Sequence, residues 1–229
     1  MNGFSIFDSI HITWLIFILM FLISSLYCYR YFSTNQQQLF QRMVFWLLLS
    51  LEITKQLYLV VTNHYSYWSP PLHLCGLGIF LTGWHAYFPN KTTATLLYSL
   101  TLPGAMIALL FPGWTNDPVG SFLHIHSFLF HALLIIFICP LIREKQLHTS
   151  IKELWRSILF LIITVPPIYI YNEHFHTNFM FLNAPVKGTP LQWLSDAFGA
   201  SGYLLSLIIV ICIIWIILYL PSIIRGGEF

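Results

Sequence analysis

Long apolar runs broken by short polar punctuation dominate this chain. A bilayer core about 30 Å thick needs about 20 apolar residues in each helix that crosses it. Seven runs approach that length, at 9–31, 40–61, 71–88, 93–111, 120–142, 153–172 and 197–220. The breaks carry turn chemistry. Ser33 to Gln38 is wholly polar, Ser69-Pro70-Pro71 precedes the third run, and Pro89-Asn90-Lys91 follows it. Pro112 to Pro118 separates the fourth run from the fifth, and Arg143-Glu144-Lys145 ends the fifth. The pattern predicts an all-α, polytopic bundle of seven transmembrane helices, with 1–229 as a single membrane domain. The first run is too long for a signal-peptide core, so an uncleaved first helix is expected.

Lys and Arg set the expected orientation. The first loop is flanked by Arg30 and Arg42, the third has Lys91, and the fifth has Arg143, Lys145, Lys152 and Arg156. The C-terminal tail has Arg225, while the second and fourth connections have neither residue type and the sixth has only Lys187. The N-terminus is therefore expected outside and the C-terminus in the cytoplasm.

Composition agrees with lipid as the solvent. The 229 residues are 57% hydrophobic and only 8% charged, against about a quarter charged in soluble domains. A multi-pass protein of the cell membrane is the reading. A net charge of +2 gives no reason to expect a nucleic-acid partner. Cys28, Cys75, Cys139 and Cys212 form no CxxC or zinc-like spacing, so no disulfide framework, metal or other cofactor is expected.

Polar residues inside apolar spans carry the functional signal, because lipid penalises them. Glu52, Lys55 and Gln56 share one face of the second span, as a structural ion pair or a functional one. His73 and Cys75 open the third span, about 200° apart on a regular helix. Cys75 shares its face with Gly78, Thr82 and His85; His85 is expected near the cytoplasmic interface. His124, Ser127 and His131 form a stripe on the fifth span, with His126 facing elsewhere. Interhelical hydrogen bonding, a proton relay and a general base stay open for that stripe, while a metal ligand is disfavoured, because His-x6-His lacks the i, i+4 spacing of helical zinc ligands. Pro166-Pro167 should kink the sixth span. The stretch from Asn178 to Leu182 is too short to cross and is expected to dip into the outer leaflet or lie on it. Under the expected topology Glu52, Lys55, His73, Cys75, His124, His131 and Asn178 all fall in the outer half, where one polar pocket would gather them.

Pro71-Leu72-His73-Leu74-Cys75, the histidine-bearing fifth span and Thr177-Asn178-Phe179-Met180-Phe181-Leu182 together resemble the bacterial YwaF-type family of integral membrane proteins. A more distant resemblance is to eukaryotic multipass proteins that transfer acyl chains between phospholipids, in which a Pro-Cys-His element supplies the nucleophile. From that resemblance only Cys75 and His73 carry over; the outward polar pocket itself is read as handling a membrane lipid or lipid-linked substrate, by acyl transfer or ester hydrolysis. Cys75 would be the nucleophile, His124 or His131 the base, and Glu52 an acid or orienting group. Lys55, His73, Ser127 and Asn178 would line the binding site. A proton-coupled transporter and a ligand-binding membrane subunit are the alternatives, and a homo-oligomer or membrane complex stays open.

Overall fold

The computed structural model describes residues 3–147, 150–186 and 188–224. Lys187 and Arg225, both counted in the charge bias, lie outside the described residues. The described chain is helical: α1 (Ser9–Tyr29), α2 (Thr34–Val61), α3 (Leu74–Tyr87), α4 (Lys91–Leu96), α5 (Leu102–Leu110), α6 (Phe122–Arg143), α7 (Trp155–Phe175) and α8 (Pro190–Ile224), with no strand among the described residues. Local chemistry starts the helices where they start. Asp8 caps α1 by accepting from the His11 N–H, and Ser33 with Gln36 forms a reciprocal capping box on α2. The N–H groups of His11 and Ser5 hold the Asp8 carboxyl below the usual aspartate range.

Among the described residues, six helical stretches are long and apolar enough to cross a membrane: 9–29, 34–61, 91–110, 122–143, 151–175 and 202–221. The protein is an integral, multi-pass membrane protein. The third expected span is shorter. α3 has 14 residues and reaches only about 21 Å at 1.5 Å per residue.

The bundle has a centre and a rim. In α6 and in the α4–α5 unit 67% of the apolar window is buried, against at most 22% in the other four stretches. Outer faces carry side chains such as Phe17, Ile162 and Ile163, each at least 59% exposed. In water such faces would drive association; in lipid they are ordinary. Glycines let α3 approach the centre. A Cβ on Gly78 would lie 2.8 Å from Thr101 Cγ2, and one on Gly83 would lie 2.5 Å from the Phe45 ring.

The central α4–α5 unit is broken by a π turn at Leu97–Thr101, where the Leu102 N–H reaches back to the Leu97 carbonyl. Pro103 explains why the break sits there. It has no N–H to offer the carbonyls four and five residues before it, Ser99 and Tyr98. Trp215 of α8 takes the Ser99 carbonyl through Nε1 at 3.0 Å. The Ser99 hydroxyl meets Ser157 of α7 at 2.6 Å, and the Tyr98 hydroxyl donates to the Leu218 carbonyl at 2.7 Å. The π turn is thus where α7 and α8 are tied to the core.

His85 lies at the end of α3, beside the turn into α4. It is 5% exposed, and its Nδ1 pairs with the Thr93 hydroxyl at 2.8 Å across the α3–α4 turn. A buried imidazole needs such a partner.

Candidate functional site

Glu52, on the buried side of α2, is 6% exposed. Its Oε1 accepts from Lys55 Nζ at 2.7 Å and from Gln56 Nε2 at 2.6 Å. Gln56 Nε2 also donates to the Ser69 carbonyl at 2.7 Å, and the Ser69 hydroxyl accepts from the Ser66 N–H. The charge pair is thereby joined to the chain that leads into α3. The Lys55 ammonium lies within electrostatic reach of His73, His126 and His131, so one cation and three imidazoles from α2, α6 and the entrance to α3 lie in the same part of the bundle.

The histidines are held differently. His131 Nδ1 donates to the Ser127 carbonyl one turn back at 2.7 Å. That carbonyl accepts, so the proton is on Nδ1 and Nε2 is left as an acceptor in the neutral ring. Trp114, from the α5–α6 connection, stacks on the ring at 5.0 Å and 9°. His126 is 5% exposed, stacks on Phe130, and meets the Leu51 backbone of α2; its Nε2 has no hydrogen-bond partner.

His73 stands at the N-cap position of α3 but makes no side-chain cap bond. Its Nδ1 accepts instead from the Met180 N–H at 3.2 Å, and its ring lies against Phe179 and Phe181. The Thr177–Leu182 segment therefore folds back into the bundle over α3. Asn172 of α7, 1% exposed, holds it in place. Asn172 Oδ1 accepts from the Thr177 hydroxyl and the Phe179 N–H, and Nδ2 donates to the Phe179 carbonyl. Tyr203 of α8 donates to the Phe181 carbonyl at 2.8 Å.

Cys75 lies in the first turn of α3 and is 8% exposed. A Cβ on Gly104 of α5 would lie 3.6 Å from its sulfur. One turn further along α3, a Cβ on Gly78 would meet Thr101 of the central unit and Leu134 of α6. Stepping back one turn from that level leads to Cys75 on α3 and to His131 on α6, which run parallel, and to Gly104 on the antiparallel α5. Cys75, Gly104 and His131 therefore share one layer. Among the described residues no side chain caps the first turn of α3, and that helix start lies beside the same layer.

Two of the expected site residues lie apart. His124 Nε2 accepts from Trp14 Nε1 of α1 at 2.9 Å, and its ring packs edge-on against Phe4 and Phe128. Phe4, 5% exposed, is also pinned by its N–H to the Thr115 carbonyl at 2.9 Å. Beside His124, burial pushes the Asp117 carboxyl up, while the imidazole's charge opposes that shift. Asn178 is a half-buried loop organiser: Oδ1 accepts from the Asn183 and Ala184 N–H groups, and Nδ2 donates to the Ala184 carbonyl. Ser127 contributes its backbone carbonyl to His131. Sequence reasoning missed Trp114 and the inward place of His126. Neither has a motif; the approach of α2 and the path of the α5–α6 connection decide both.

A family model described as the TMEM164 family matches residues 6–219, which takes in every helix that builds this cluster. The chain belongs to the TMEM164 family. In this TMEM164 member the matched region includes Cys75, the three clustered histidines and the Asn172-held segment. No curated protein and no solved structure matches the chain.

Proposed function

We propose that this TMEM164-family protein cleaves and transfers acyl groups of membrane lipids, with Cys75 as nucleophile and His131 as base. The observation that carries the reading is His131. Its Nδ1–H is tied to Ser127, its Nε2 is left to accept a proton, and it shares a layer with the Cys75 thiol. The resemblance to the eukaryotic acyl-transferring proteins and to the YwaF-type family belongs to the same proposal.

The chemistry balances in two halves. The Cys75 S–H proton passes to His131 Nε2 as sulfur bonds to the ester carbonyl carbon. The carbon–oxygen bond then breaks, and the departing alkoxide takes the proton from His131. A thioester remains on Cys75. An acceptor hydroxyl, of water or of a lipid, gives its proton to His131 and attacks the thioester, and the thiolate leaves and is reprotonated. The uncapped first turn of α3 suits the oxyanion that forms in each half. Glu52 and Gln56 steady Lys55 and the α3 entrance and take no proton in this scheme.

The same proposal includes seven spans, with α3 and its lead-in as the short one, the N-terminal end outside and the C-terminal end in the cytoplasm. Arg30, Arg42 and Arg156, which mark the cytoplasmic side in this reading, lie over the rings of Tyr31, Tyr87 and Trp155, as anchors at a headgroup boundary do.

The test is acyl capture. Purified protein in nanodiscs containing phospholipid with a labelled acyl chain is expected to gain one acyl mass on Cys75, releasable by hydroxylamine. Cys75→Ser should show no hydroxylamine-labile adduct, and His131→Gln should slow capture about 100-fold. Unchanged lipid turnover in Cys75→Ala would sink the reading. A proton-coupled transporter predicts instead that Cys75→Ala is silent while Glu52→Gln and His131→Gln shift the pH dependence of flux into liposomes.

A further inference from the structure

His73 and His131 are held in opposite hydrogen-bonding states. The Met180 N–H donates to His73 Nδ1, so the neutral ring carries its proton on Nε2. The Ser127 carbonyl accepts from His131 Nδ1, so that ring carries its proton on Nδ1. The two rings are within electrostatic reach of each other. One can only donate through Nε2, and the other can only accept through it.

The protein goes to some length to fix the donor. Met180 and Phe181 both have φ of 56°, the left-handed region, which is strained for a non-glycine residue. The segment persists because Asn172 holds both polar groups of the Phe179 backbone and Tyr203 holds the Phe181 carbonyl. This turn presents the Met180 N–H to His73, drawing its Nδ1 away from the capping role that its position offers. Residues held in such strain by their surroundings cluster at active sites and ligand clamps.

We propose that His73 Nε2–H is a hydrogen-bond donor to the substrate's reacting oxygen, and that buried Asn172 is the positioning residue that keeps His73 in that tautomer. The ligand chemistry is an acceptor oxygen, the ester carbonyl that turns into an oxyanion. The assignment rests on the acyl-transfer reading and divides the labour of its two histidines: His131 moves the proton and His73 steadies the charge.

The experiment uses the full chain in nanodiscs with nitrogen-15 histidine, His73 being identified by the signal lost in His73→Gln. Long-range proton–nitrogen correlations should show wild-type His73 protonated on Nε2 and His131 on Nδ1. Asn172→Ala should bring His73 into exchange between tautomers while the His131 pattern stays. In acyl capture, His73→Gln, whose amide places an N–H near the Nε2 position, should stay within about tenfold of wild type, and His73→Leu should fall about 100-fold, the usual effect of losing one oxyanion donor. A wild-type His73 protonated on Nδ1 overturns the proposal, whatever Cys75 does. Equal capture by His73→Leu and wild type overturns the role at the substrate. Because the spectra do not depend on acyl chemistry, they fail separately from the Cys75 test.

Discussion

Glu52 Oε1 accepts from two side chains at once, Lys55 and Gln56. Removing either member of the charge pair leaves the other uncompensated where solvent is scarce, since their side chains are only 9% and 20% exposed. Glu52→Gln or Lys55→Met alone should each cost about 3 kcal/mol. The double change should cost less than the sum, because it leaves no lone charge. Denaturant unfolding of the four variants in mixed micelles checks this, and additive losses would show that the two charges act independently. At this scale the sequence was readable wherever one helix brings its own partners together, as Glu52, Lys55 and Gln56 do at i, i+3 and i+4. It was not readable where a second element supplies the partner. His124 sits three and seven residues from Ser127 and His131 on one stripe, yet Trp14 of α1 claims it. His126, on the other side of α6, is the ring that meets α2.

Among the elements, the π turn beside Pro103 joins α7 and α8 to the centre of the bundle. Trp215→Phe should strand the Ser99 carbonyl in an apolar setting at a cost of about 1–3 kcal/mol. Pro103→Ala would restore an N–H within reach of that carbonyl, so the cost of Trp215→Phe should shrink in the Pro103→Ala background. Thermal unfolding of the two single variants and the double variant measures the coupling, and equal losses in both backgrounds would remove Pro103 from the explanation. The long spans were legible because lipid forces every backbone polar group into a helix and every outward side chain to be apolar. The π turn was not, since Leu97 to Thr101 reads as ordinary apolar sequence and only the register of its carbonyls tells it apart. The shortness of α3 was hidden for a related reason: Pro71 to His73 is apolar enough to extend the run but not helical.

For the whole molecule, the bias of Lys and Arg predicts that a reporter after Phe229 faces the cytoplasm and that one at Asn116 faces outside. A glycosylation-site or alkaline-phosphatase fusion series reads this directly, and a reversed pattern would put the histidine cluster in the other leaflet. The Phe4, Trp14 and His124 contacts carry a different consequence, for the order in which the bundle is built. Trp14 and His124 are 110 residues apart, so α1 enters the bilayer long before α6 exists. Until then the Trp14 N–H, and the His11 ring that later reaches the Leu109 carbonyl at 2.7 Å, have no helix to bond to. An early α1 is therefore a helix with a polar debt in lipid, and a natural client for whatever shelters single helices during synthesis. Docking of α5 against His11 and of α6 against Trp14 releases it. Phe4 then settles against Thr115, which makes the amino-terminal segment one of the last pieces to find its place, although it is among the first made.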